Sequence, residues 1–419
     1  MFLLQKKISV KLINRISLFF ILLYIFMVPS FLSKLAEINF GIKILEFYPY
    51  IFFLIPVLSI LGPKILNKNI VLPHFGSFFA VLFFFLLLES NLFRGDVVID
   101  LKYIYVLTII YTCFLVLVNY GTTSVYRDRI MKYSIVIVLG IAFTTLLGYF
   151  EVINIGYSFE LLYNKSLATN RFISESIHPN GQSFTCTVVI FILIICRKEN
   201  RFGLHKGYLF WALILIMFSI IILNASRGAF VISMAGLLVS INKIVSLNTL
   251  KAKYLLFIFL IGLSFLFIYN SFEELIKNVY VFTRLLEETN FRSARVSGML
   301  LSWNNFTNNI WFGTGYHNAS LGYWEGSFYT RSNFSYFQIL ASHGIFYFII
   351  YMYFLYKMFG INIRRHITLL VVIGTYFPLM FYNLSILVPI SIFAYLFYYY
   401  KKHDYISIVS LQNIWDKKS

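Results

Sequence analysis

Apolar residues run along this chain in stretches of roughly twenty, the length that crosses a bilayer as a helix. About twelve such stretches stand out. They lie near residues 16–32, 42–61, 74–90, 99–118, 133–153, 181–196, 208–224, 226–241, 253–270, 333–356, 367–382 and 384–400. Short polar links join most of them. One long interruption, residues 271–332, breaks the pattern and carries Lys277, Arg284, Arg292, Arg295, Arg331, His317, Trp303, Trp311 and Trp324. The expected fold is an all-α integral membrane protein in three parts. Residues 1–270 hold nine spans, 271–332 form a large loop, and 333–419 hold three more spans and a tail. Inside the loop, Ser271-Phe272-Glu273-Glu274 reads as a capping box. Leu275, Ile276, Val279, Phe282 and Leu286 follow at helical spacing, so an amphipathic helix on the membrane surface is expected there. A second periodic run, Val296, Met299, Leu300, Trp303 and Phe306, places Arg292 and Arg295 near a helix start.

Composition agrees with the pattern. The chain is 59% hydrophobic, 20% aromatic and only 12% charged, with a mean hydropathy of +0.78. A soluble domain carries about twice that charge. The net charge of +18 would suit nucleic acid, but its distribution argues against that partner. Basic residues crowd alternate links: Lys64 and Lys68; Arg127, Arg129 and Lys132; Arg197, Lys198, Arg201 and Lys206; Lys243, Lys251 and Lys253; Lys357, Arg364 and Arg365; Lys401 and Lys402. Together with Lys6, Lys7, Lys11 and Arg15 this is the positive-inside pattern, with both termini cytoplasmic and residues 271–332 outside. No small-x-small cleavage site follows the first stretch, which is read as a retained helix. Cys113, Cys186 and Cys196 all fall within apolar stretches and read as small apolar residues, not as a disulfide framework.

Outer basic residues are the exceptions to the positive-inside pattern, and beyond Lys277 those of the large loop are all arginine. Arg227 joins them, in the tight link Asn224-Ala225-Ser226-Arg227-Gly228. A guanidinium is permanently charged and forks onto two phosphate oxygens, so a cluster of arginines fits an anionic lipid diphosphate. Membrane-boundary arginines also serve as headgroup anchors, and the tryptophans as interfacial ones. Gly313-Thr314-Gly315 reads as a turn presenting Tyr316 and His317. His178-Pro179-Asn180-Gly181 reads as a turn and helix start, and His343 lies inside the tenth span beside Gly344. The outer links contain only Asp96 and Asp100 as aspartates, and no DxD, HExxH or Cys/His cluster. Metal ligands and a phosphate-binding glycine loop are therefore not expected, nor is a cofactor.

Four segments resemble the O-antigen polymerase and O-antigen ligase superfamily of bacterial polysaccharide assembly. Asn224-Ala225-Ser226-Arg227-Gly228-Ala229 is similar to that family's Ser-Arg-Gly segment. Arg171 followed by Pro179-Asn180 resembles its Arg…Pro-Asn segment. Arg295…Trp303…Phe312-Gly313-Thr314-Gly315 is similar to its Arg…aromatic…Gly-x-Gly stretch. Tyr336-Phe337-Gln338-Ile339-Leu340-Ala341…Gly344-Ile345 resembles the entry to its tenth span. One departure matters: where the family has His-Asn ahead of that span, this chain has Ser332-Asn333, and the nearest loop histidine is His317 upstream.

The resemblance implies a metal-independent glycosyltransferase of the bacterial cytoplasmic membrane, acting at its outer face on an undecaprenyl-diphosphate-linked oligosaccharide. Its partners would be membrane lipid, a flippase and a chain-length regulator. Arg227 and Arg295 would stabilise the leaving diphosphate, with His317 as proton acceptor. Arg171, His178, Arg292, Arg331, Tyr316 and Trp324 would bind substrate. The displaced histidine favours a repeat-unit polymerase over a ligase that moves finished glycan to a lipid or protein acceptor. A transporter or flippase for lipid-linked sugars would show internal repeats and broken midplane helices. No repeat is evident. A membrane scaffold without activity is the remaining class.

Overall fold

The computed structural model describes residues 2–26, 48–72, 97–150, 152, 157–164, 167–174, 179–204, 207–224, 226–241, 294–315, 322–324, 327–329, 335–359, 388–396 and 398–400. Of the expected stretches, 74–90, 253–270 and 367–382 lie outside these residues, as does the amphipathic run 271–286. Most of the others are helices close to the expected bounds. They are α1 (Phe2–Ile25), α2 (Tyr48–Leu66), α3 (Val97–Tyr120), α4 (Ser124–Tyr149), α5 (Pro179–Lys198), α6 (Tyr208–Leu223), α7 (Arg227–Ile241), α8 (Ala294–Asn308) and α9 (Ser335–Phe359). An apolar helical segment, Ile390–Tyr400, follows. Among the described residues two helices, Ser124–Tyr149 and Asn180–Lys198, are long and apolar enough to cross a membrane. The first helix begins well before its apolar stretch, because nothing between Phe2 and Arg15 breaks it and lysine is a good helix former.

The frame is helical, as expected, and carries two small additions. Among the described residues there are two short antiparallel hairpins, β1 (Tyr157–Asn164) with β2 (Leu167–Ser174), and β3 (Gly322–Trp324) with β4 (Ser327–Tyr329). Both lie in links between apolar stretches, where the apolar pattern alone predicts no strand. Their aromatic and β-branched residues, and the two residues between each pair of strands, suit a tight hairpin.

The chain divides into two compact units. The first comprises 1–29, 45–137 and 297–419, and the second 30–44 and 138–296. In the first, α1 packs on α2 and α2 on α3. The buried face of α1 is Leu18, Ile21, Leu22 and Ile25, at i, i+3, i+4 and i+7. Polar ties fix the ends of these helices. The Asn119 side chain accepts from the Val71 N–H (2.8 Å) and donates to the Val71 carbonyl (3.0 Å). The Lys64 ammonium donates to the Asn119 carbonyl. Arg127, one of the basic residues of the topology pattern, is buried. It pairs with Asp128 at 2.9 Å and lies 4.9 Å over the Tyr399 ring. The Tyr395 hydroxyl donates to the Gly121 carbonyl at 2.9 Å, so the segment Ile390–Tyr400 is held against the α3–α4 turn.

In the second unit α5 is the central helix, contacting α6, α7 and β2. Its residues from Val188 to Leu193 are wholly buried. Pro179 in its first turn needs no intrahelical N–H partner, and Arg197 and Lys198 in its last turn complement the helix dipole. At Gly236 of α7 an added Cβ would come within 2.6 Å of the Phe191 ring. A small residue here lets the two helices approach closely, as is usual where apolar helices meet in lipid.

Candidate functional site

The site builds up around the start of α5 and the start of α7. Gln182 sits in the first turn of α5 and is 2% exposed, as is Asn224 in the link after α6. A buried amide must be hydrogen-bonded or it is costly. Here the two satisfy each other: Asn224 Nδ2 donates to Gln182 Oε1 at 2.9 Å. Gln182 Nε2 in turn donates to the Thr145 hydroxyl of α4, which donates to the Ile141 carbonyl at 2.8 Å. One relay of side chains therefore joins α4, α5 and the α6–α7 link.

That link delivers Arg227. The Asn224 N–H closes α6 onto Ile220, and the Ser226 carbonyl accepts the first bond of α7 from Phe230 at 3.0 Å. Ser226 is thus the N-cap and Arg227 the first residue of α7. Hydroxyl bonds then seat α7 on α5. Ser233 donates to Thr187 Oγ1 at 3.0 Å, and Thr187 lies 3.4 Å from the Ala229 carbonyl. The N-terminal turn of α7 presents backbone N–H groups and the positive end of the helix dipole, an arrangement that favours an anion.

Arg171 lies on β2, and its register partner across the ribbon is Glu160. Residues opposite each other in an antiparallel pair share one face of the ribbon, so an acidic position neighbours this basic one. Sequence reasoning passes over Glu160. Since β2 packs on α5, the Arg171 strand, the Pro179-Asn180 turn and the Asn224–Arg227 link belong to one cluster in the second unit.

Arg295 is the second residue of α8, close to the helix start as expected. Trp324 ends β3, opposite Ser327. His178, Arg292, Tyr316, His317 and Arg331 lie outside the described residues. Sequence reasoning also misses Gln182 and Thr145. The available signal was an amide in a stretch otherwise apolar enough to span, since an unpartnered amide there is expensive.

The Gly313-Thr314-Gly315 turn has an architectural role that the sequence does not reveal. Helix α9 is broken at Gly344, whose φ of 74° and ψ of −174° suit glycine alone. The break frees the Ala341 and Ser342 carbonyls from their helical donors. Thr314 N–H donates to Ala341 O (2.7 Å) and Gly315 N–H to Ser342 O (2.9 Å), while Ile345 N–H donates to Ile310 O (2.8 Å). Loop and helix exchange backbone bonds, so the turn is clamped to α9. His343 is buried at the break, its ring 4.7 Å from that of Tyr347.

Among the described residues no three His, Cys, Asp or Glu side chains converge as metal ligands would. No family model, no curated protein and no solved structure matches the chain.

Proposed function

We propose that this chain is a membrane glycosyltransferase that joins oligosaccharide repeat units carried on a polyprenyl diphosphate, at the outer face of a bacterial cytoplasmic membrane. The observation that carries the reading is the Asn224–Gln182 hydrogen bond. It couples the Ser-Arg-Gly link to the helix turn that the Pro179-Asn180 pair opens, and the two motifs, far apart in sequence, share a likeness to one family of lipid-linked sugar polymerases. Such coupling holds the two segments together, as a shared site requires.

In this reading a hydroxyl of the acceptor sugar attacks the anomeric carbon of the donor. A new C–O bond forms as the anomeric C–O bond to the diphosphate breaks, and the diphosphate leaves with the electron pair. Arg227, on the anion-favouring end of α7, and Arg295, at the start of α8, stabilise the charge that develops on it. Arg171, His178, Arg292, Arg331, Tyr316 and Trp324 contact the glycan or the diphosphate. His317 accepts the hydroxyl proton. Arginine neutralisation lets the reaction proceed without a divalent cation. A flippase supplies the donor to the outer face and a chain-length regulator acts on the product.

Deleting the gene and sizing the surface glycan tests this. A collapse from a ladder to single repeats is expected. Loss of all attached glycan with lipid-linked polymer retained would instead make the chain a ligase, and an unchanged ladder would leave neither reading standing.

A further inference from the structure

We propose that the tip formed by Ile310, Trp311 and Phe312 is a lipid-docking wedge, held at the level of the bilayer interface by α9. The proposal requires that α9 lies in a membrane, as its sequence predicts. It does not depend on the chemistry assigned to the arginines.

Three observations carry it. The first is exposure of an unusual kind. Ile310, Trp311 and Phe312 follow α8 directly and are all exposed, Trp311 by 60%. Three consecutive large apolar residues at a loop tip make a patch that water-soluble surfaces avoid. The second is continuity with a helix face. Among the described side chains of α9 the exposed large apolar residues are Phe346, Ile349 and Tyr353, a stripe at i, i+3 and i+7 on a helix read from its sequence as a span. The Trp311 ring stacks on Phe346 with centroids 5.3 Å apart and planes at 26°, and Phe312 lies 6.1 Å from the same ring. The tip therefore extends the exposed apolar stripe of α9. The third lies in the sequence. From Val296 to Trp324 there is no Asp, Glu, Lys or Arg. A segment facing bulk water has no reason to omit charge over such a length. In the interface, uncharged Asn, Ser and Thr satisfy their hydrogen bonds without the desolvation cost of an ion.

The backbone exchange at Gly344 gives the wedge its precision. The three bonds between 310–315 and 341–345 tie the tip to α9 through backbone and not through side chains. An added Cβ at Gly344 would collide with the Trp311 carbonyl, which shows how closely the two segments meet. Depth is thus set by the helix, as for aromatic belts at membrane boundaries, and the tip should enter about 5–10 Å into the headgroup and acyl boundary.

The test uses the full chain in phospholipid vesicles with Trp211, Trp303, Trp324 and Trp415 each replaced by Phe. Phosphatidylcholine brominated near the carbonyl end of its chains should quench Trp311 emission strongly, and more than lipid brominated near the methyl end. Aqueous acrylamide should quench it weakly. Quenching by acrylamide alone would put Trp311 in water, as a carbohydrate-stacking platform would require, and would overturn the proposal. Protection from all quenchers would mean that protein covers the tip, and would overturn it as well. A second measurement guards against misfolding of the multiple variant. A nitroxide at Trp311→Cys should collide more with oxygen than with an aqueous nickel chelate, and one at Asn67→Cys, exposed in a basic link, the reverse, each in a chain with Cys113, Cys186 and Cys196 changed to Ser. Equal preferences at the two positions would also defeat the wedge.

Discussion

Guanidinium and ammonium carry the same charge, but only guanidinium presents two parallel donors to a pair of phosphate oxygens. If Arg227 and Arg295 clamp a leaving diphosphate, lysine at either position keeps the charge and loses the fork. Removing one such interaction from a transition state costs on the order of 3 kcal/mol, about a hundredfold in rate. Arg227→Lys and Arg295→Lys should each shorten the polymer drastically at normal expression. Full-length polymer from both variants would end the clamp hypothesis. Asn224 and Gln182 make a prediction of a different kind. Each is buried and serves as the other's partner, so Asn224→Leu alone or Gln182→Leu alone strands a polar group. That costs about 1–3 kcal/mol, whereas replacing both partners is milder. In a double-mutant cycle read from detergent unfolding midpoints, the double variant should lose clearly less than the sum of the singles. Strict additivity would show that the amide pair contributes nothing. Asn224 belongs to a motif legible in the sequence, yet its partner does not. Nothing in the order of residues says that position 182 lies beside 224.

At the scale of elements, the break in α9 is the clearest case of a local irregularity with a structural cause. A helix interrupted in its middle loses backbone bonds, and the Gly313–Gly315 turn restores them. Gly344→Ala should therefore be costly twice over. It forces alanine into φ +74° and drives a Cβ against the Trp311 carbonyl. Such backbone strain alone is worth about 1–3 kcal/mol. A clear drop in detergent thermal stability is expected for Gly344→Ala. Gly140→Ala, in α4 where nothing lies within 4 Å of the added Cβ, should be tolerated. Equal stability of the two variants would contradict the clamp. Most helices were legible because a run of apolar side chains has few other ways to satisfy its backbone in lipid. The break was not legible, since glycine beside histidine in an apolar stretch also fits an ordinary helix. The hairpins at 157–174 and 322–329 escape a sequence reading because short strands inside polar links leave only a weak alternation to read.

For the whole molecule, the alternation of basic links predicts both termini in the cytoplasm and residues 271–332 outside. A cysteine at Ser327, in β4, should react with a membrane-impermeant maleimide added to intact cells whose outer envelope is permeable to it. Labelling only after the inner membrane is opened would invert the topology and remove the functional reading with it. Not all of the basic residues serve topology alone. Arg127 is buried against Tyr399 and paired with Asp128, so it joins the segment Ile390–Tyr400 to α4. Charge counting treats it as equivalent to the less buried Arg129 and Lys132, because the count registers sign and position along the chain and nothing about burial.

The sequence by itself determined the apolar helical character of the chain, the positions of most described helices and a set of candidate arginines. Those depend on composition and on periodicity over a few turns, which are local properties of the chain. Only the tertiary structure decided that Gln182 bridges Thr145 to Asn224, that Glu160 is the register partner of Arg171, and that the glycine turn after α8 repairs a break in α9. Each of these is a pairing the residue order leaves open, fixed by packing, by strand register and by the need of buried polar groups for partners. Residue order constrains such pairings without stating them.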